Sequence, residues 1–205
     1  MAREQTTSLA SLLQHMLQGI AYRLAYEKEL LGAERLQEAA LVVFARECIL
    51  KSAAVGGWKV LPEARISKLN WAKQPKREYE NGRVDLVIAP RAHNLRKRRF
   101  DPITLLEFKR GHRFEQTVLK DLRRLANLKK SSRRSCKAYL ILVDSGFPRK
   151  LVSEKGHGIR NCKILKDASN KIGGAKLKIT RVCKALPTTK LKAKTGVWAI
   201  AIEVG

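Results

Sequence analysis

The sequence predicts an α/β domain of three layers built around a mixed β-sheet and preceded by an N-terminal helix. Two observations carry that expectation. Helical periodicity fills the first fifty or so positions, and from residue 58 it gives way to short β-branched and apolar runs bounded by Gly, Pro and polar residues. One amphipathic helix then stands between two of those runs. A helix joining two inner strands implies a crossover and a parallel pair, while the more closely spaced strands before it suit hairpins. A chain of 205 residues is long enough for one domain with a proper core and too short for two full ones. The expected division is residues 1–32 as the N-terminal helix and 33–205 as the α/β domain, ending in basic strands.

Taken in order, residues 8–31 open with Ser8, a good N-cap, and carry Leu9, Leu12, Leu13, Met16, Leu17, Ile20 and Leu24 at helical spacing up to Gly32. This helix has two candidate roles, as a cover for the domain or as a homodimer face. A second helix spans about 34–54. Its apolar residues Leu36, Ala40, Val43, Leu50 and Ala54 form one stripe, with others on the remaining sides, so it reads as well buried. Strands follow at Trp58–Ile66, Arg83–Ala89 (RVDLVIA) and Ile103–Lys109 (ITLLEFK), separated by a turn at Tyr79–Gly82 and a basic loop from Pro90 to Pro102. Residues 114–130 are helical, with Phe114, Val118, Leu122, Leu125 and Leu128 on one side. After a second basic loop, Ala138–Val143 (AYLILV) is a buried strand. The Gly- and Lys-rich stretch 149–175 has no assignment. Two last strands, about 176–186 and 196–204, are expected to pair antiparallel at the edge of the sheet.

The charge narrows the function. The chain carries +25, and none of it comes from the first 63 residues, where seven Lys and Arg balance seven Asp and Glu. The remainder holds 36 basic against 11 acidic residues. Such an excess attracts polyanions and binds phosphates with release of counterions. A solvated surface of no special purpose mixes both signs. No apolar run approaches the roughly 18 residues a membrane span needs, and no signal peptide, lipidation motif or long basic amphipathic helix is seen. The expectation is a cytoplasmic protein with no membrane partner. The four cysteines (Cys48, Cys136, Cys162, Cys183) form no CxxC pair, so they read as reduced, mostly buried thiols.

Three ionisable residues interrupt strands that are otherwise apolar: Asp85 in RVDLVIA, and Glu107 and Lys109 in ITLLEFK. Alternation turns Glu107 and Lys109 to one face with Phe108 on the other, and sets Asp85 opposite in facing to Val84 and Leu86. Charges inside apolar strands are costly unless paired or bound to metal. Two carboxylates about one strand apart repel, and a divalent cation with a taste for oxygen resolves the repulsion. Phosphodiester hydrolysis needs a polarised phosphoryl group, an activated water and a stabilised leaving oxygen, which carboxylate-held Mg²⁺ supplies.

Asp on one strand, E-x-K on the next, then a helix and a further strand resembles the PD-(D/E)XK nucleases, the restriction-endonuclease-like fold, over residues 34–144. Val84 stands where the family signature has proline, a position that varies widely in the family. The resemblance implies that Asp85 and Glu107 ligate Mg²⁺ or Mn²⁺ and that Lys109 serves the water. It implies a nuclease, on DNA ahead of RNA, that leaves 5′-phosphate ends. Many members add a Glu from the preceding helix. Glu38 fits the resemblance, near the helix start, whereas Glu47 falls within the apolar stripe and so reads as buried; nine residues apart, they face opposite sides and cannot both serve. The nucleic-acid contacts are expected in the two basic loops, at Arg96, Lys97, Arg98 and Arg99 and at Lys129, Lys130, Arg133 and Arg134. Lys120, Arg123 and Arg124 are expected on the solvent side of the intervening helix, with Lys120 and Arg123 as further nucleic-acid contacts. The alternative is a basic nucleic-acid-binding module of the same fold without activity.

Overall fold

The computed structural model describes residues 8–31, 38–53, 58–90, 100–111, 116–133, 135–146, 148–153, 157–159, 162–185 and 196–205. Helices α1 (Leu9–Leu31) and α2 (Glu38–Ala53) come first. Strand β1 (Trp58–Arg65) leads through a 3-10 turn and the one-turn helix α3 (Arg77–Glu80) to β2 (Arg83–Pro90) and β3 (Thr104–Arg110). Helix α4 (Gln116–Ser131), strand β4 (Lys137–Asp144), helix α5 (Lys163–Lys171) and strands β5 (Leu177–Ala185) and β6 (Val197–Val204) complete the chain.

The six strands form one sheet in the order β1-β2-β3-β4-β6-β5. β1, β2 and β3 pair antiparallel, as hairpin-type connections require. The α4 crossover makes β3 and β4 parallel. β6 runs antiparallel to both β4 and β5, so the last two strands do close one edge. That edge is β5, whose Lys178 and Arg181 point to solvent; charged edge strands resist pairing with other chains.

The layers follow from strand alternation. Leu86, Ile88, Leu106 and Phe108 bury one face of the sheet under α1 and α2. Val87, Leu105, Leu140 and Leu142 bury the other under α4 and α5. The predicted α1 stripe is buried from Leu12 through Leu24, and α1 lies across β5 and β6, so it covers the sheet. Its start is capped as expected: the Ser11 N–H donates to the Ser8 hydroxyl at 3.2 Å.

One reading needs correction. In α2 the core-facing residues are Leu41, Val42, Ala45 and Ile49, while Val43 and Leu50 are 52% and 40% exposed. Glu47 is therefore exposed and not buried. Apolar residues occur on more than one side of α2, so periodicity selects no face; packing does. Gly19 of α1 sits so close to Cys48 that a Cβ there would come 2.6 Å from its sulfur. Helix α5 lies inside the unassigned 149–175 stretch. It is nine residues long with Cys162 at its N-cap and no side-chain cap, so the usual Ser, Thr, Asp or Asn start signal is missing. Three of the four cysteines are buried and all are free. Among the described residues no helix is long and apolar enough to cross a membrane.

Candidate active site

Leu105 belongs to the α4-side core and Leu106 and Phe108 to the opposite one, so Glu107 and Lys109 emerge toward α4, as alternation predicts. The β2–β3 ladder runs through Ile88–Thr104, Val87–Leu105 and Leu86–Leu106. One step further the same register sets Asp85 across from Glu107. There a side chain takes over from the backbone: Asp85 Oδ2 accepts the Phe108 N–H at 2.8 Å. Val84 departs from expectation and packs in the α4-side core with Val87. The neighbouring stretch of β1 is irregular, with Glu63 at a φ of 48°, a conformation that costs a non-glycine residue about 1–2 kcal/mol.

The carboxyl groups of Asp85 and Glu107 are close enough for each to act on the other electrostatically. Glu107 is only 1% exposed. Burial first, then the Asp85 charge, pushes its carboxyl well above the ordinary range, against the pull of Arg124. Asp85 is also raised, by burial, and the Phe108 N–H and the Glu107 hydrogen bond hold it down. The two carboxyls therefore titrate as a coupled pair, both displaced upward and Glu107 the more strongly.

From this pair a line of alternating charges runs to solvent. Glu107 Oε1 lies 2.7 Å from Arg124 Nη2, which also lies 3.0 Å from Asp121. The Arg124–Glu107 approach is a charge contact without aligned hydrogen-bond geometry, since Glu107 Oε1 and Arg124 Nε are both buried without a hydrogen-bond partner among the described residues. Asp121 in turn is 3.3 Å from Lys109 Nζ, and Lys109 Nζ is 2.8 Å from Glu38 at the solvent end. Burial lowers the Lys109 ammonium, but Glu38 and Asp121 outweigh it and raise it. Lys109 is therefore held as a cation. Arg124 is likewise raised on balance, with Glu107 and Asp121 overcoming desolvation.

The structure thus brings Asp85, Glu107, Lys109 and Glu38 together and leaves Glu47 on the exposed side of α2. Of the two helix carboxylates, Glu38 reaches the site; its Oε1 also accepts the Arg110 N–H at 3.5 Å. Arg124 was expected on the solvent side of α4 and instead turns inward. Asp121 carried no expectation at all, although a signal existed. At about 100° per residue, Asp121 falls on the helical wheel between Leu125 and Leu128, inside the apolar arc of α4. A carboxylate within such an arc needs a buried cation, and Lys109 and Arg124 are those cations.

The predicted phosphate contacts divide. Arg96, Lys97, Arg98, Arg99 and Arg134 lie outside the described residues. Lys120, Lys130 and Arg133 are exposed, with Arg133 3.7 Å from Asp101. Arg123 is exposed but engaged: its Nε and Nη2 donate to the Lys171 carbonyl at 3.1 and 2.8 Å, tying α4 to the C-terminus of α5. Lys129 Nζ donates to the Cys136 carbonyl, across the turn into β4.

Among the described residues no three His, Cys, Asp or Glu side chains converge as a metal-ligand group. The acidic groups come instead as the pair Asp85–Glu107, with Lys109 and Arg124 interleaved before Asp121 and Glu38. A pair fits Mg²⁺, which keeps several waters and is held by one or two carboxylates plus substrate phosphates. The facing carboxyls and the Glu107 oxygen left without a hydrogen bond suit a small hard cation. Comparison with protein-family profiles, curated proteins and solved structures finds no match.

Proposed function

We propose that the chain is a divalent-metal-dependent nuclease, acting on DNA ahead of RNA, with a restriction-endonuclease-like domain. Asp85 and Glu107 would hold Mg²⁺ or Mn²⁺. The observation that carries the reading is the register that sets the half-buried Asp85 across from the buried Glu107 in strands that are otherwise apolar, with the Lys109 ammonium on the same face. With all four carboxylates ionised against Lys109 and Arg124, the cluster would carry two negative charges. One proton on Glu107 relieves half of that, and one divalent cation all of it.

When bound, the cation would polarise the phosphoryl oxygen and ease deprotonation of the attacking water. The chain's own groups do the rest. Asp85, anchored by the Phe108 N–H, cannot swing away from Glu107. Lys109 is a held cation, so it serves as a donor to the water or the phosphate oxygen and not as the base. Glu38 and Asp121 fix its position. Water oxygen bonds to phosphorus as the P–O3′ bond breaks, leaving a 5′-phosphate and a 3′-hydroxyl. The positive charge beyond residue 63 supplies affinity for the polyanion.

One observation favours the second reading, a basic binding module without activity: Arg124 already gives Glu107 a cationic partner in the absence of metal. Incubation with plasmid, single-stranded DNA and structured RNA, in Mg²⁺ or Mn²⁺ against EDTA, separates the two. Cleavage is expected with metal alone, lost in Asp85→Asn and Glu107→Gln while binding persists. Lys109→Ala is expected to keep metal binding and lose about 10²–10³ in rate. A wild type that cuts no substrate, or an Asp85→Asn protein that cuts equally well, leaves the binding module standing.

A further inference from the structure

Resting on the metal-site reading above, we propose that Arg124 is a resident counterion, standing in for the divalent cation at Glu107 and pivoting on Asp121 when the cation arrives. Three features of the site carry this. Arg124 Nη2 is shared, 2.7 Å from Glu107 and 3.0 Å from Asp121. It can give up Glu107 without losing an ion pair, because Asp121 sits three residues away on the same helix and moves with it. Next, the fork is only partly used. Nε is buried with no hydrogen-bond partner among the described residues, a state that costs free energy until an acceptor arrives. A guanidinium presents five donors suited to phosphate oxygens. Last, Asp121 also holds Lys109 at 3.3 Å, so one carboxylate anchors both cations and keeps them beside the carboxyl pair when the charge on that pair changes.

The site therefore has two states. Without metal, Arg124 stands against Glu107 at 2.7 Å. With metal, the cation takes Glu107, and the freed donors of Arg124 turn to a phosphate oxygen of the substrate. Arg124 thus competes with the cation and afterwards binds the same phosphate.

Titration of Mn²⁺ into the full chain without nucleic acid, followed calorimetrically, tests this without relying on activity. Arg124→Gln is expected to bind Mn²⁺ about ten-fold tighter or more, since a like charge beside the cation is gone. Arg124→Lys, which keeps the charge, should stay within about three-fold of wild type. Asp121→Asn removes the pivot and should weaken Mn²⁺ binding; it reads out even where Arg124→Gln does not fold. In cleavage at saturating Mn²⁺, Arg124→Gln should be slower by about 100-fold despite its tighter metal binding, because the phosphate donor is lost. A merely structural arginine would not produce this opposition of metal affinity and rate. Unchanged or weaker Mn²⁺ binding in Arg124→Gln, beside a wild type that binds and cuts, overturns the counterion role alone. Absence of Mn²⁺ binding in wild type and Arg124→Gln alike overturns the metal site with it.

Discussion

The two faces of the central sheet are built from the same strands and solve different problems. Under α1 and α2 the face is packed with apolar side chains: Leu86, Ile88, Leu106 and Phe108 meet Leu12, Met16, Leu17 and Leu41, and among the described residues of the cluster none is acidic or basic. Under α4 the same strands offer Leu105 and Val87, and between them Asp85, Glu107 and Lys109. Phe108 and Glu107 are adjacent in sequence and both essentially buried, yet one contributes stability and the other is held at a cost. A sheet lets a chain place chemistry one residue away from its firmest packing, because alternation sends neighbours to opposite faces.

Substitutions at those neighbouring positions break the comparison most directly. Phe108→Ala should destabilise the fold by about 3–5 kcal/mol, the usual cost of emptying a fully buried aromatic site, measured by chemical denaturation. A loss under 1 kcal/mol would mean that the α1/α2 face is not the packed core described here.

Glu107→Gln should go the other way. The Glu107 carboxyl is raised in the folded protein by burial and the Asp85 charge, so the native state binds its proton more tightly than the unfolded chain does. Stability contributed by that proton is full below the unfolded carboxylate pKa of about 4.3 and is lost as pH rises from there toward the raised folded value. Metal-free wild type should therefore lose melting temperature with rising pH through that window. Glu107→Gln should show a flatter profile and a higher melting temperature at its upper end. Parallel profiles for the two proteins would show that Glu107 is not the group with the raised titration.

The smallest effect concerns the α4 side alone. Arg123→Ala removes two donors from the Lys171 carbonyl at an exposed position and should cost at most about 1 kcal/mol. Hydrogen exchange should report it as faster opening of α5, with the β3 and β4 amides unchanged. Equal protection in α5 would leave the tie without energetic weight.

The order of the main elements through β4, the parallel β3–β4 pair and the facing of Glu107 and Lys109 were legible in the sequence, whereas α5 was not. They rest on local rules: period-2 alternation, a crossover helix of clear amphipathicity, caps such as Ser8. Tertiary packing decided the rest. Which side of α2 is buried was set by α1, through the close approach of Gly19 to Cys48; the helix itself offered several apolar sides, and Glu47 was misread for that reason. The same packing chose Glu38 over Glu47 by bringing the start of α2 to Lys109. Asp121 was readable from its place in the apolar arc of α4, but its partners were not, since Lys109 stands on β3 and Arg124 looks solvent-facing until the helix is laid on the sheet. Sequence by itself determined which residues bear charge and, outside the irregular start of β2 at Val84, which face the site residues take, because those follow from covalent geometry and local period. Only the tertiary structure decided which charges meet, because ion pairing acts through distance in space, and residues 38, 85, 107, 121 and 124 become neighbours only once the helices are packed on the strands.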